Sequence, residues 1–315
     1  MKIHKRTRID GYLDIFGIGL AVATLFGFLS RLFWFFDLFS HFRVQYMQIG
    51  LVLIGFALWR RQNKRAIALV LLACLNYAFV FPLYLGKPAP PSGPTARLML
   101  MNINAGNGNT EQVLATISTA DPDLLLLEEV TPKWEAELAV LQTNYPYRVA
   151  RSQNDCFGIM LLSKHPIAHD KVIEIGTASV PTITTDVYFP QGTVSIIGTH
   201  PLPPMGAEYS RHRNNQLTAL PEIIGAQKFP VLLIGDLNVT PFSYWFKRIT
   251  SESGLKNSMK GCGFQPSWPS NNRFLRIPLD HVLHSPEITI HNRMIGGDVG
   301  SDHFPVIVDF SLPSM

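Results

Sequence analysis

Cysteine is scarce: Cys74, Cys156 and Cys262 are the three in 315 residues, and none has the spacing of a zinc site. A disulfide framework is therefore excluded. An oxidising compartment would permit a bridge between Cys156 and Cys262, against which stands the reading of two free thiols. Charge is also thin, 16% of residues against roughly 25% in ordinary soluble domains, while 47% are hydrophobic. No internal repeat is present, and low complexity is confined to one proline-rich stretch. Residues 1–94 hold 11 of the 27 Lys and Arg but 3 of the 23 Asp and Glu, so the net +4 conceals a downstream part of about −4. No basic stripe marks a nucleic-acid surface. That counts against a nuclease without excluding one, because bound divalent cations would offset part of the acidic field.

Apolar sequence is concentrated at the front. Ile15 to Phe36 is 22 residues, Val44 to Trp59 is 16 and Ala66 to Leu85 is 20, against roughly 20 needed to span a bilayer. These runs have no amphipathic face, and a signal peptide would explain only the first. They predict three transmembrane helices at about 15–36, 44–59 and 66–85, in a membrane anchor of residues 1–86. Arg31 lies near a helix end, where it snorkels or faces a neighbouring helix. Lys2, Lys5, Arg6 and Arg8 in the tail and Arg60, Arg61, Lys64 and Arg65 in the second turn contrast with Arg43 alone in the first turn. With three crossings these eight basic residues are cytoplasmic. The remainder is then expected on the periplasmic or extracellular side of the inner (plasma) membrane. Four prolines between Gly86 and Pro94 make residues 87–96 an extended linker, which leaves 97–315 as a second domain.

Beyond the linker, short polar motifs each close an apolar run: Met101-Asn102-Ile103-Asn104, Leu127-Glu128-Glu129-Val130, Gly198-Thr199-His200-Pro201, Gly235-Asp236-Leu237-Asn238, Leu279-Asp280-His281 and Gly300-Ser301-Asp302-His303. Strands at Leu98 to Met101, Leu124 to Leu127, Ser195 to Ile197 and Val231 to Ile234 would bury their apolar residues and bring the polar ones to one edge. Helices are expected at Thr110 to Ala120, Pro132 to Thr143, Glu208 to Ala226 and Phe242 to Thr250. Thr240-Pro241 reads as the cap and first-turn proline of the last.

The order and wording of these motifs resemble the endonuclease/exonuclease/phosphatase superfamily, with the deoxyribonuclease-I-like fold shared by nucleases, sphingomyelinases and inositol polyphosphate phosphatases. The resemblance covers roughly residues 95–315 and implies an α/β four-layer sandwich of two packed β-sheets flanked by helices. It also implies metal-dependent phosphoester hydrolysis, which needs neutralised phosphoryl charge, an activated water and help for the leaving oxygen.

On that resemblance Glu129 is the metal-binding carboxylate, Asn102 lies near the metal and phosphate, and Asp302 sits beside the metal or helps position the water. The expected cation is Mg²⁺ or Mn²⁺, which prefer oxygen ligands. Asn104, where some relatives carry Asp, is a substrate contact or a turn residue. Asp236 orients or deprotonates the water, and Asn238, projecting to the same side, donates to the phosphoryl oxygens. Asp280 fixes the imidazole of His303 and raises its basicity. His200 contacts phosphate or protonates the leaving group, and it leans the chain away from abasic-site endonucleases, which usually place Tyr there. Trp268 forms a substrate wall or a buried anchor. Glu128, on the opposite face from Glu129, reads as structural, and Arg211 to Asn215 reads as a solvated helix face.

The expected partners are a phosphoester substrate, either nucleic acid or a phospholipid headgroup, and the lipid bilayer. The alternatives are a phosphomonoesterase of the same fold and a non-catalytic membrane binding protein that keeps it.

Overall fold

The computed structural model describes residues 2–91 and 93–312, with side chains from Asp10 onward. They fall into two units, the first being the described residues up to Pro82 together with Pro241–Tyr244. Its helices are α1 (Lys2–Phe28), the short α2 (Trp34–Leu38), α3 (Arg43–Trp59) and α4 (Asn63–Val80), the last running into a 3₁₀ turn at Phe81–Tyr84. The first apolar run is not one helix to Phe36. Ser30 and Arg31 interrupt it, and tight bonds from Leu29 N to Phe26 O and from Leu32 N to Leu29 O turn the chain. Two helical stretches, Asp10–Phe28 and Asn63–Tyr84, are long and apolar enough to cross a membrane, where the sequence suggests three. The 17-residue α3 falls short, because at 1.5 Å per residue it reaches about 25 Å against roughly 30 Å of hydrocarbon. Inside this unit the buried Arg43 guanidinium donates to Thr24 O at 3.2 Å and Asn76 Oδ1 at 3.1 Å, which ties three helices together.

The second unit, Leu83–Thr240 with everything from Trp245, opens with β1 (Ala96–Asn102), α5 (Thr110–Ala120), β2 (Leu124–Glu128) and α6 (Pro132–Glu137). A 3₁₀ segment at Leu138–Thr143 replaces the second half of the helix expected there. Then come β3 (Tyr147–Arg151), β4 (Ile159–Ser163), β5 (Ile167–Glu174), β6 (Pro181–Phe189), β7 (Gly192–Thr199) and α7 (Ala207–Gly225). The chain closes with β8 (Val231–Asp236), α8 (Tyr244–Ser253), β9 (Lys256–Asn257), β10 (Asp280–His284), β11 (Thr289–Ile295) and β12 (Val306–Ser311). Because α8 starts at Tyr244, Thr240 is not its cap, and the proline lies in a turn ahead of it. All three cysteines are free thiols.

Two six-stranded mixed sheets result, ordered β11-β12-β1-β2-β4-β3 and β5-β6-β7-β8-β10-β9. Side-chain alternation decides what each face meets. Leu98, Leu100, Leu124 and Leu126 of the first sheet enter one core with Ile196, Leu232, Ile234 and Val282 of the second. On the other face of the first sheet, Met99, Met101, Leu125 and Leu127 pack with Val113 and Ile117 of α5 and Trp134 of α6. The outer face of the second sheet sets Ile197, Leu233 and Leu283 against Leu217 and Leu220 of α7 and Phe246 of α8. Each fully buried leucine contributes about 1.5–3 kcal/mol, and strands apolar on both faces are stable only when both are covered.

The inward-facing rows do not end with their apolar residues. Two positions past Leu100 stands Asn102, past Leu126 stands Glu128 and past Ile234 stands Asp236, while Asp280 precedes Val282 on the antiparallel β10. The inter-sheet core thus has a polar end.

Candidate active site

Registry brings the buried half together. Asn102 pairs with Glu128 across β1 and β2, and Asp280 pairs with Asp236 across β10 and β8. His303, in the turn before β12, places Nδ1 2.8 Å from Asp280 Oδ2. Its Nε2 lies 3.6 Å from Asp236 Oδ2, and His200 Nε2 lies 3.6 Å from the same oxygen. One carboxylate oxygen therefore stands between two imidazoles, at ion-pair rather than hydrogen-bond distance. The other, Asp236 Oδ1, accepts from Asn238 N at 2.8 Å, and Asn238 Nδ2 donates to Pro201 O at 2.9 Å. An amide carries a second N–H, which leaves Asn238 a donor for a substrate oxygen.

The open half is a chain of amides and carboxylates. Asn102 Nδ2 donates to Glu129 Oε1 at 3.0 Å and Ala105 N to Glu129 Oε2 at 2.9 Å. Asn104 N donates to Asn102 Oδ1 at 3.0 Å, and Asn104 Nδ2 reaches Asp302 Oδ1 at 2.7 Å. Trp268 Nε1 donates to Asp302 Oδ2 at 3.0 Å. The two halves are joined where Ser301 Oγ donates to Asn102 O and accepts from His303 N. Asn104, Glu129 and Asn238 all hold left-handed backbone, φ 59°, 62° and 51°, a conformation that costs on the order of 1–3 kcal/mol per non-glycine residue and gathers at functional sites.

Burial and charge set the protonation states in this cluster. For His303 burial pulls the imidazole pKa down, but the charge and hydrogen bond of Asp280, with Asp236 and Asp302 behind it, carry it up to about 10. His200 is likewise opposed by burial, yet contact with Asp236 and the charges of Glu128, Asp236 and Glu129 raise it to about 9. Burial opposes ionisation of Asp236 too, and is outweighed by His200, His303 and the Asn238 amide, so its pKa is lowered. Glu128 is pushed up to about 8, by burial first and by Asp236 and Asp280 beside it. At neutral pH the array is two imidazolium donors around one carboxylate base.

Every residue expected in the site lies in one of these two networks, and two more belong with them. Glu128, read from the sequence as structural, does face away from Glu129, but the face it takes is the inter-sheet one, where both its oxygens lie 3.1 Å from Asp236 N. Arg213, read as part of a solvated helix face, is fully buried and donates Nη1 to Asn238 O at 3.0 Å, holding that left-handed residue in place. Continuing the inward row of β2 by two residues was the signal for Glu128. A helical period through Leu217 and Leu220 was the signal for Arg213. Two aromatic rings flank the imidazoles: Phe157 is 5.7 Å from His200 and Trp268 is 6.4 Å from His303, between ring centroids.

The donor set fits a hard cation. Glu129 and Asn102 present only oxygen as ligands, and each carboxylate oxygen of Glu129 accepts one hydrogen bond, which leaves a lone pair free. Among the described residues no three His, Cys, Asp or Glu side chains converge as a ligand group. One carboxylate beside an amide oxygen would leave the other positions of a bound Mg²⁺ to water and substrate, which that cation accepts.

The Endonuclease/Exonuclease/phosphatase family matches residues 99–303, a span that takes in both halves of the site. The chain belongs to that family. No curated protein matches it. Among solved structures, D. rerio TDP2 complexed with a single-strand DNA product is similar at 16% identity and TM-score 0.59, covering 70% of this chain and 100% of that one. The human Nocturnin catalytic domain with bound sulfate is similar at 18% identity and TM-score 0.57, covering 73% and 98%. A 3′ phosphatase from Neisseria, NExo, bound to a product DNA hairpin, is similar at 16% identity and TM-score 0.57, covering 69% and 99%. These likenesses show the fold of the second unit, and the family supports a hydrolase acting on phosphoesters.

Proposed function

We propose that this protein is a divalent-metal-dependent phosphodiesterase of nucleic acid, held at the cytoplasmic membrane by its helical unit and acting outside it. The observation that carries the reading is the buried array in which Asp236 Oδ2 stands 3.6 Å from Nε2 of both His200 and His303. A diester hydrolysed by water needs a base for the water and cationic donors for the phosphoryl oxygens, and this array holds both. The Asp236 carboxylate takes the proton of the attacking water. His303, its ring fixed through Nδ1 by Asp280, donates from Nε2 to a phosphoryl oxygen, and His200 donates to the leaving oxygen. Asn238 orients the phosphoryl group through its free N–H. Mg²⁺ or Mn²⁺ held by Glu129 and Asn102, with Asp302 one amide away, would draw negative charge from the phosphoryl group.

The two rings beside the imidazoles support nucleic acid as the substrate class. Phe157 and Trp268 offer stacking faces for bases, each worth about 1–3 kcal/mol. The DNA product held by two of the structural neighbours points the same way. The membrane reading rests on the two apolar helices and on the eight basic residues at the tail and second turn. Short as it is, α3 runs antiparallel to α4, with Gly50 facing Ala73 about the turn at residues 60–62. On this reading α3 returns the chain across the bilayer despite its length, and α4 ends on the side opposite the tail.

Full-length protein in detergent with Mg²⁺, offered single-stranded DNA, plasmid, RNA, phosphatidylcholine, sphingomyelin and generic phosphodiester and phosphomonoester probes, tests the chemistry. Cleavage of nucleic acid that chelator abolishes and Mn²⁺ restores is the expected result. Full activity in chelator sinks the metal, and turnover of the lipids alone moves the substrate to the headgroup. A phosphatase reporter fused after Met315 should be active outside the cytoplasm, and one in the Arg60 to Arg65 turn inactive. The opposite pattern places the catalytic unit inside.

A further inference from the structure

Glu128 has no role in the chemistry above, yet it occupies the centre of the site. Its side chain is 0% exposed, and both its oxygens are turned on one main-chain amide, Asp236 N, at 3.1 Å each. That amide has no β-ladder partner on the β7 side, because the parallel pairing of β7 with β8 ends at Gly198 and Ile234. The contact crosses between sheets, since β2 belongs to the first and β8 to the second. Gly235 makes room for it. A Cβ there would lie 2.8 Å from Glu128 Oε1 and 1.9 Å from Thr199 O, so a side chain at this position would clash with the carboxylate as well as the strand.

We propose that Glu128 is a positioning residue, a strut from the first sheet that fixes the Asp236 backbone and so holds the two catalytic half-sites at their working separation. The role rests on the hydrolase reading. Its neighbour Glu129 faces the open half, so two consecutive glutamates serve the two halves: one holds the buried half and the other belongs to the open half. Glu128 is not the base itself, because its oxygens face the main chain and no solvent reaches them. An acceptor of the right length is what the contact requires, and glutamine supplies one oxygen in the same place.

The test compares Glu128→Gln with Glu128→Met, alike in length but different in accepting capacity, in the full chain. Labelling with carbonyl-¹³C glycine and ¹⁵N aspartate marks the two Gly-Asp junctions of this sequence, Gly235-Asp236 and Gly297-Asp298. The Asp236 amide peak should move upfield in the Met variant and stay near its place in the Gln variant, while the Asp298 peak holds still as the internal reference. The kcat of the Met variant on a phosphodiester should fall on the order of 10²-fold, the cost of a misplacement near 1 Å, with KM little changed, and the Gln variant should recover kcat to within about threefold. If the Met chain does not fold, Glu128→Asp, with its oxygens drawn back by one methylene, takes its place. An unmoved Asp236 peak overturns the strut, and so does a Met variant that keeps its kcat or alters KM alone. An inactive wild type counts against the hydrolase reading and leaves the amide peak to decide the contact.

Discussion

In one half of the site Asp236, Asp280, His200 and His303 are between 1% and 5% exposed, whereas in the other Glu129, Asn104 and Asp302 remain partly open to water. The buried side is made of charges, each compensated by another, and burial lets them set one another's protonation. The open side is made of amides and carboxylates joined by mutual hydrogen bonds that leave oxygen lone pairs unused. On the proposed reading a water-excluded base and a solvent-exchanging cation site need opposite surroundings, and the two halves differ in that way.

The contrast breaks most sharply at Asp236. Asp236→Asn should lower kcat on the order of 10³-fold, the scale of a lost general base, while half-maximal Mn²⁺ concentration stays put. Steady-state kinetics over a metal titration separates the two readings. His303→Ala and Asp280→Ala should each cost on the order of 10² in kcat, with the double variant losing far less than the product of the two. Losses that multiply would mean that the 2.8 Å contact between them is not a working unit. Asn102→Ala removes the buried amide that holds Glu129 of the open side and should raise the Mn²⁺ requirement roughly 10–100-fold with a smaller effect on kcat at saturating metal. Trp268→Phe keeps a ring beside His303 but loses the donor to Asp302, which should cost about 1 kcal/mol of organisation, read as a severalfold rise in KM.

Neighbours on one strand sharpen the comparison through pH. His281, adjacent to Asp280 but on the outer face against Phe246, has its pKa lowered to about 4 by burial. Between pH 6.5 and about 4 the unfolded chain takes a proton that the folded chain refuses, so stability falls as pH drops through that window by about 1.4 kcal/mol per unit. His303 has the opposite sign. With its pKa raised to about 10, its contribution is complete below 6.5 and is lost as pH rises through 10. Unfolding midpoints followed across pH should show His281→Gln flattening the acid limb and His303→Gln the alkaline limb. Identical profiles for the two variants would refute the assignment.

Much of this arrangement was legible because strand alternation is local. Leu98, Leu100, Leu124, Leu126, Leu232 and Ile234 mark the inward rows without reference to any partner, and the polar residue closing each row marks the edge. Glu128 is less legible, since alternation shows that it and Glu129 face apart but not that its own face is the inter-sheet one. Arg213 is hidden in the sequence because a charge on a polar helix segment looks solvated, whereas the fold buries it against the Asn238 carbonyl. The break at Leu29 was hidden as well, as apolar composition continues through a turn that only tight backbone bonds reveal.

Composition and periodicity alone determined the apolar front, the apolar strands and the set of polar residues at their ends, because these depend on neighbours a few positions apart. Tertiary structure alone decided which ends meet. Asn104 touches Asp302 across 198 positions and Glu128 touches Asp236 across 108, and such separations are closed by strand pairing and sheet packing, whose free energy is spread over the whole core rather than carried by either residue.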